Sequence, residues 1–185
     1  MSARRARIVI LCEDNQHEAF IRRFLYGMGW EGRDLRIEKS PSASGSAEQY
    51  IRELFPKELP AYRKERNKGS NVALIAMIDA DSKSADERIG EIRVECESRQ
   101  IPFLNNNDAV VIAIPRRNIE TWIRHLEGEI VDETTTYPKL DKERNCKKAV
   151  SNLVDRCLGR SAIPIILPSL AAVCAEYKSR IKSLL

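Results

Sequence analysis

With 185 residues, 43% hydrophobic and 31% charged, the chain can bury one substantial core and hardly two independent ones. Its formal net charge of +4 suits a polypeptide that meets polyanions. The five cysteines (Cys12, Cys96, Cys146, Cys157 and Cys174) are scattered and include no C-x-x-C pair, which argues against a zinc site or a disulfide framework and for a reducing, cytoplasmic compartment.

Residues 8–12 read as a short buried strand, too short for a signal-peptide core or a membrane span and followed at once by Glu13 and Asp14. A helical period then begins, with Phe20, Phe24 and Met28 on one stripe and Ile21 and Leu25 beside it. Leu35 and Ile37 mark a second strand. Residues 40–46, SPSASGS, read as a loop whose Gly45 and serines could cradle a phosphate or merely connect. Ser46 with Gln49 has the capping-box pattern, and Tyr50, Ile51, Leu54 and Phe55 form a buried stripe that Pro56 is expected to stop. The basic residues 63–68 then read as a linker.

Residues 72–78 predict another buried strand, running into Asp79 and Asp81, and Ile89, Ile92 and Cys96 a helix after it. Asp81 or Ser82 is a candidate cap for that helix. A further strand spans 110–114, closed by Pro115. Asn118 is a plausible cap for a helix whose apolar face is Ile119, Trp122, Ile123 and Leu126. Strands alternating with helices predict an α/β fold, a mainly parallel, Rossmann-like sheet flanked by helices. Beyond Gly128 the alternation ends. Ala149, Val150, Leu153, Val154 and Cys157 predict one helix, and Leu170, Val173, Cys174, Tyr177, Ile181 and Leu184 another. The expected division is a catalytic domain over 1–128 and a helical C-terminal extension over 129–185, packed on it or used for partner contact.

In an open parallel sheet ligands bind beyond the carboxyl ends of the strands, and three strand ends lead into acids: Glu13, then Asp79 and Asp81, then Glu120. In extended backbone Asp79 and Asp81 leave the same face. Carboxylates crowded together raise each other's pKa, about 1.4 kcal/mol for each unit, so the cluster calls for a compensating cation. An all-oxygen donor set points to Mg²⁺ or Mn²⁺.

The stretch IVILCEDNQHEAFIRRFL, then LIAMIDADS, then AIPRRNIETWIRHL resembles, in that order, the motifs of the Toprim family, closest in pattern to its small RloB-like and OLD-type nucleases. Glu13 stands at the family's first acid and Glu18 at its second; Asp79 and Asp81 match the D-x-D, and Glu120 and Trp122 match a proline-then-E-x-W helix start. Asp14 replaces the usual glycine of the first motif's turn, a position that Asp tolerates at modest cost when φ is positive. The resemblance covers residues 7 to 127. It implies a metal-dependent nuclease in which Glu13, Asp79 and Asp81 hold the ion and Glu13 serves as general acid or base, in an anti-phage or toxin-like setting.

Hydrolysis also needs a cation facing the new negative charge, for which Lys139, Arg116 and Arg117 are candidates. Arg22, Arg23, Lys64 and Arg66, with Arg116 and Arg117, are candidate contacts to nucleic acid. His17 follows the first acid and could shuttle protons, but it is expected to begin the first helix facing water; His125 reads as structural or solvated, and Trp122 reads as core rather than a base-stacking platform. The competing expectation is a catalytically degenerate Toprim-like binding module, paired through its C-terminal helices with an ATPase subunit or with a second copy of itself. Neither reading involves a membrane.

Overall fold

The computed structural model describes residues 6–41 and 46–185; Arg4, Arg5 and Gly45 lie outside them. The fold is α/β, with four parallel strands, β1 (Arg7–Cys12), β2 (Leu35–Lys39), β3 (Val72–Met77) and β4 (Val110–Ala113), in the order β2-β1-β3-β4. Every residue of β3 and β4 is buried, which is why both read as unbroken apolar runs rather than alternating ones. From β1 the chain moves outward to β2 on one side, and after β3 to β4 on the other. The boundary between β1 and β3 is therefore the topological switch point, where the connections part and leave a crevice at the strands' carboxyl ends.

Helices α1 (Asn15–Gly27), α4 (Ile119–Leu126), α5 (Lys147–Cys157) and α6 (Pro168–Arg180) share one layer. There Phe20 and Phe24 of α1, Ile75 and Met77 of β3, Val111 of β4 and Tyr177 of α6 meet. Helices α2 (Ala47–Asn67) and α3 (Ala85–Ser98) pack together on the sheet's other side. The C-terminal helices belong to the same core, α5 against α1 and α4, α6 against β4. Buried Trp30 and Tyr177 tie the ends of the chain together, the indole N–H donating to the phenol oxygen at 2.9 Å. No helix among the described residues is long and apolar enough to cross a membrane.

Three local expectations are corrected. Helix α2 does not stop at Pro56 but runs through it and Pro60 to Asn67, so the basic segment is helical. The stripe Ile51, Phe55, Leu59 and Tyr62 stays buried along its whole length, and that burial outweighs the hydrogen bonds two prolines forfeit. Helix α3 is capped by Ser84, which forms a reciprocal capping box with Glu87, so neither Asp81 nor Ser82 serves as its cap. Cys157 and Cys174 are joined by a disulfide between α5 and α6, against the expectation of free thiols; the partners sit on separate helices 17 residues apart, a spacing that carries no signature of its own.

Candidate functional site

The first acid follows β1 directly. Glu13 turns across the switch point, and its Oε1 accepts the backbone N–H of Asp79 at 2.6 Å. That single bond couples the carboxyl end of β1 to the carboxyl end of β3. The turn after Glu13 needs no glycine, because Asp14 is extended (φ −145°) and caps α1, accepting the His17 N–H at 2.9 Å.

Beyond Met77, β3 keeps pairing with the chain that leaves β4: the N–H groups of Ile78, Ala80 and Asp81 donate to the carbonyls of Ala113, Pro115 and Arg117. Asp79 keeps the parity of Ile75 and Met77, which face the α1 layer, and its side chain meets that layer at His17. Asp81 would share this face if the backbone stayed extended. It instead adopts φ +54°, a conformation Asp tolerates, and its carboxylate meets Arg88 of α3. The two aspartates thus part: Asp79 is 16% exposed and Asp81 59%.

Each aspartate has a cation from within the protein. His17, expected at the surface, is completely buried, with Nε2 3.0 Å from Asp79 Oδ1. An ionised carboxylate only accepts, so Nε2 carries the proton; Nδ1 is buried without a partner among the described residues. Burial opposes protonation of this imidazole, but the charges of Asp79, Glu13 and Asp14 and the bond to Asp79 push its pKa up to about 9. Buried Arg88 donates from Nε to the Asp79 carbonyl at 3.1 Å and from one terminal nitrogen to Asp81 Oδ2 at 2.9 Å; its other terminal nitrogen bonds Glu48 and Glu91. Arg88 holds the D-x-D turn by both main chain and side chain. Arg88 was not legible as a site residue, having only an ordinary position on a charged helix, whereas His17 was a candidate proton shuttle by its place one turn after Glu13 but was expected at the surface.

The acids nonetheless remain short of positive charge. Burial, reinforced by Asp79 and Asp81 and opposed by His17, raises the Glu13 carboxyl to about 7. Burial and Asp79 also raise Asp81, against the pull of Arg88. Glu120, on the first turn of α4 and 1% exposed, is raised by burial and by Asp79 and Asp14, while Lys139 works the other way. Lys139 approaches from the chain beyond α4, with Nζ 3.4 Å from Asp14 Oδ2, and its pKa is raised by Asp14, Glu120 and Asp79. Glu13, Asp79, Asp81, Glu120 and Lys139 therefore occupy one electrostatic neighbourhood. Among the described residues, no three His, Cys, Asp or Glu side chains stand close enough as placed to form a metal cage.

The remaining candidates divide. Glu18 bonds Arg22 at 2.9 Å and Lys39 at 3.0 Å on the outer side of α1, while Arg23 donates to the Ala19 carbonyl. Arg117 (φ +67°) is committed to backbone, donating to the carbonyls of Thr134 at 2.7 Å and Asp81 at 3.2 Å, and Arg116 precedes it at the same edge. Trp122 is buried against Phe20 and donates to Ser169 Oγ at 2.8 Å, which leaves no face for a base. Lys64 and Arg66 lie at the wrong end. The end of α2 adjoins the starts of β1 and β3, a six-residue strand or about 20 Å from the acids. Comparison with protein-family models, with curated proteins and with solved structures finds no match.

Proposed function

We propose that this crevice is the centre of a metal-dependent nuclease that hydrolyses phosphodiester bonds. The observation carrying the proposal is the 2.6 Å bond between Glu13 and the Asp79 amide, which gathers acids from two strands at the switch point. The carboxyls of Glu13, Asp81 and, from the start of α4, Glu120 are raised despite His17, Arg88 and Lys139, so negative charge there is under-compensated. Hard oxygen donors with a charge deficit suit Mg²⁺ or Mn²⁺, which Glu13 and Asp79 would hold, with Asp81 joining them only if its carboxylate leaves Arg88 and turns back to the crevice. When bound, such an ion supplies positive charge to a phosphodiester oxygen.

The chain's own groups supply the rest. Glu13, raised to about 7, is matched to accepting a proton from the attacking water near neutral pH. The water oxygen bonds to phosphorus, the bond to the leaving sugar oxygen breaks, and that oxygen takes up a proton. Lys139 faces the charge that develops, and Glu120 is a second buried carboxyl able to hold a proton. His17 and Arg88 fix Asp79 and Asp81.

The second reading, a degenerate Toprim-like module that binds without catalysis, is favoured by those same two bonds: an imidazole and a guanidinium already sit on the aspartates. Calorimetry with Mn²⁺ and cleavage assays on DNA, structured RNA and tRNA separate the two. The nuclease reading expects Mn²⁺ binding that disappears in Asp79→Asn and cleavage that falls at least about 100-fold in Glu13→Gln. Metal binding unaffected by Asp79→Asn, or cleavage unaffected by Glu13→Gln, refutes it.

A further inference from the structure

The chain between α4 and α5 crosses the edge of the sheet that carries the acids. It is pinned on the β4 side, where Arg117 donates to the Thr134 carbonyl and Asn118 Nδ2 to the Tyr137 carbonyl, both at 2.7 Å. It is pinned again on the β1 side, where Lys139 reaches Asp14 and Gln16 Nε2 donates to the Glu143 carbonyl at 3.5 Å. Between and beside the pins the strap is internally ordered. Asp132 Oδ1 accepts the N–H groups of Thr134 and Thr135, each at 2.7 Å, and the Tyr137 hydroxyl accepts the Asp132 N–H at 3.1 Å.

Across the described residues most arginines are spent on internal partners: Arg22 on Glu18, Arg36 on Glu38 and Glu58, Arg63 on Asp108, Arg88 on four groups, Arg117 on two carbonyls. The strap is different. Lys139, Lys142 and Arg144 are all exposed. Lys139 makes one long contact to Asp14, and neither Lys142 nor Arg144 has an ion-pair partner among the described residues. These three cations stand within six residues of one another, interleaved with the exposed carboxylates of Asp141 and Glu143, on the segment that crosses the sheet edge carrying the acids; Lys139 is the one that reaches them.

We propose that the strap at 137–144 is the surface that receives the phosphate backbone of a nucleic acid, with Lys139, Lys142 and Arg144 contacting successive phosphates beside the acids. This rests on the nuclease reading for the identity of the polyanion, but its test does not depend on cleavage. The probe is a fluorescein-labelled 30-nucleotide single strand, titrated by anisotropy in Mg²⁺ over a range of salt concentrations, with the full chain carrying Glu13→Gln. Combining Lys139→Gln, Lys142→Gln and Arg144→Gln is expected to lower the slope of log K against log salt by about 2, since each lost phosphate contact on a single strand removes roughly 0.7. Lys64→Gln with Arg66→Gln, at the opposite rim, leaves the slope unchanged. All three strap substitutions are at exposed positions, and an unchanged thermal midpoint certifies the fold. A slope unaffected by the strap variant, or no binding of the strand by the parent, overturns the proposal. Strap-dependent binding by a wild-type protein that cleaves no substrate upholds the surface and removes the nuclease reading.

Discussion

Replacing Glu13 by Gln removes a carboxyl whose pKa rises from the ordinary 4.5 to about 7 on folding. A raised acid binds its proton more tightly in the folded state. Its contribution to stability is therefore present below pH 4.5 and is lost as pH rises through 7. The full shift corresponds to about 3 kcal/mol. Glutamine keeps an oxygen to accept the Asp79 amide but cannot ionise, so the variant escapes the loss while forfeiting roughly 1 kcal/mol from a weaker hydrogen bond. That second cost does not vary with pH, and comparing two pH values cancels it. Urea denaturation in EDTA, performed at pH 5 and pH 8, should show Glu13→Gln gaining about 2 to 3 kcal/mol on wild type between them. A difference that stays flat within about 0.5 kcal/mol would mean that Glu13 ionises without strain, and the charge deficit at the crevice would be fictitious.

Three further outcomes are expected. His17→Leu strands the Asp79 carboxylate and should cost about 3 kcal/mol at pH 6; because the imidazole is raised to about 9, the pair's contribution is complete below pH 6.5 and fades as pH climbs through 9, so the gap measured by urea titration must narrow toward pH 10. Arg88→Met leaves Asp81, Glu48 and Glu91 without their shared buried cation and should cost about 4 kcal/mol at pH 7, with a loss under about 1 kcal/mol refuting its place at the hub. Gly27→Ala gains helix propensity, but the new Cβ would meet Val154 Cγ2 at 2.6 Å, so a net loss of about 1 kcal/mol is expected in wild type and none in a Val154→Ala background, a non-additivity that a thermal-melt cycle reads directly.

The inner strands were legible because β3 and β4 are wholly buried and β1 largely so, and they appear as apolar runs, whereas β2 showed only Leu35 and Ile37; the runs ending at Cys12 and at Ile78 led straight to Glu13, Asp79 and Asp81. Two features were not legible. Pro56 is a strong local stop signal, and only the continuing stripe through Leu59 and Tyr62, whose value depends on the sheet beneath, overrides it. His17 sits in a first helical turn, where inward and outward faces cannot be told apart until the strand beside it places a carboxylate. The partners of the arginines were equally hidden: Arg88 pairs with Glu48 from 40 residues away, and Arg117 donates to the Thr134 carbonyl from 17.

The C-terminal third has a consequence for anyone shortening this polypeptide. A fragment ending near residue 128 would strip Leu153, Leu170 and Tyr177 from the flank formed by Phe24, Ile75 and Val111, wetting an apolar surface that favours self-association. It would also remove the lintel of chain above the carboxylates, with Lys139 in it. The boundary where strand and helix cease to alternate is therefore a poor place to cut.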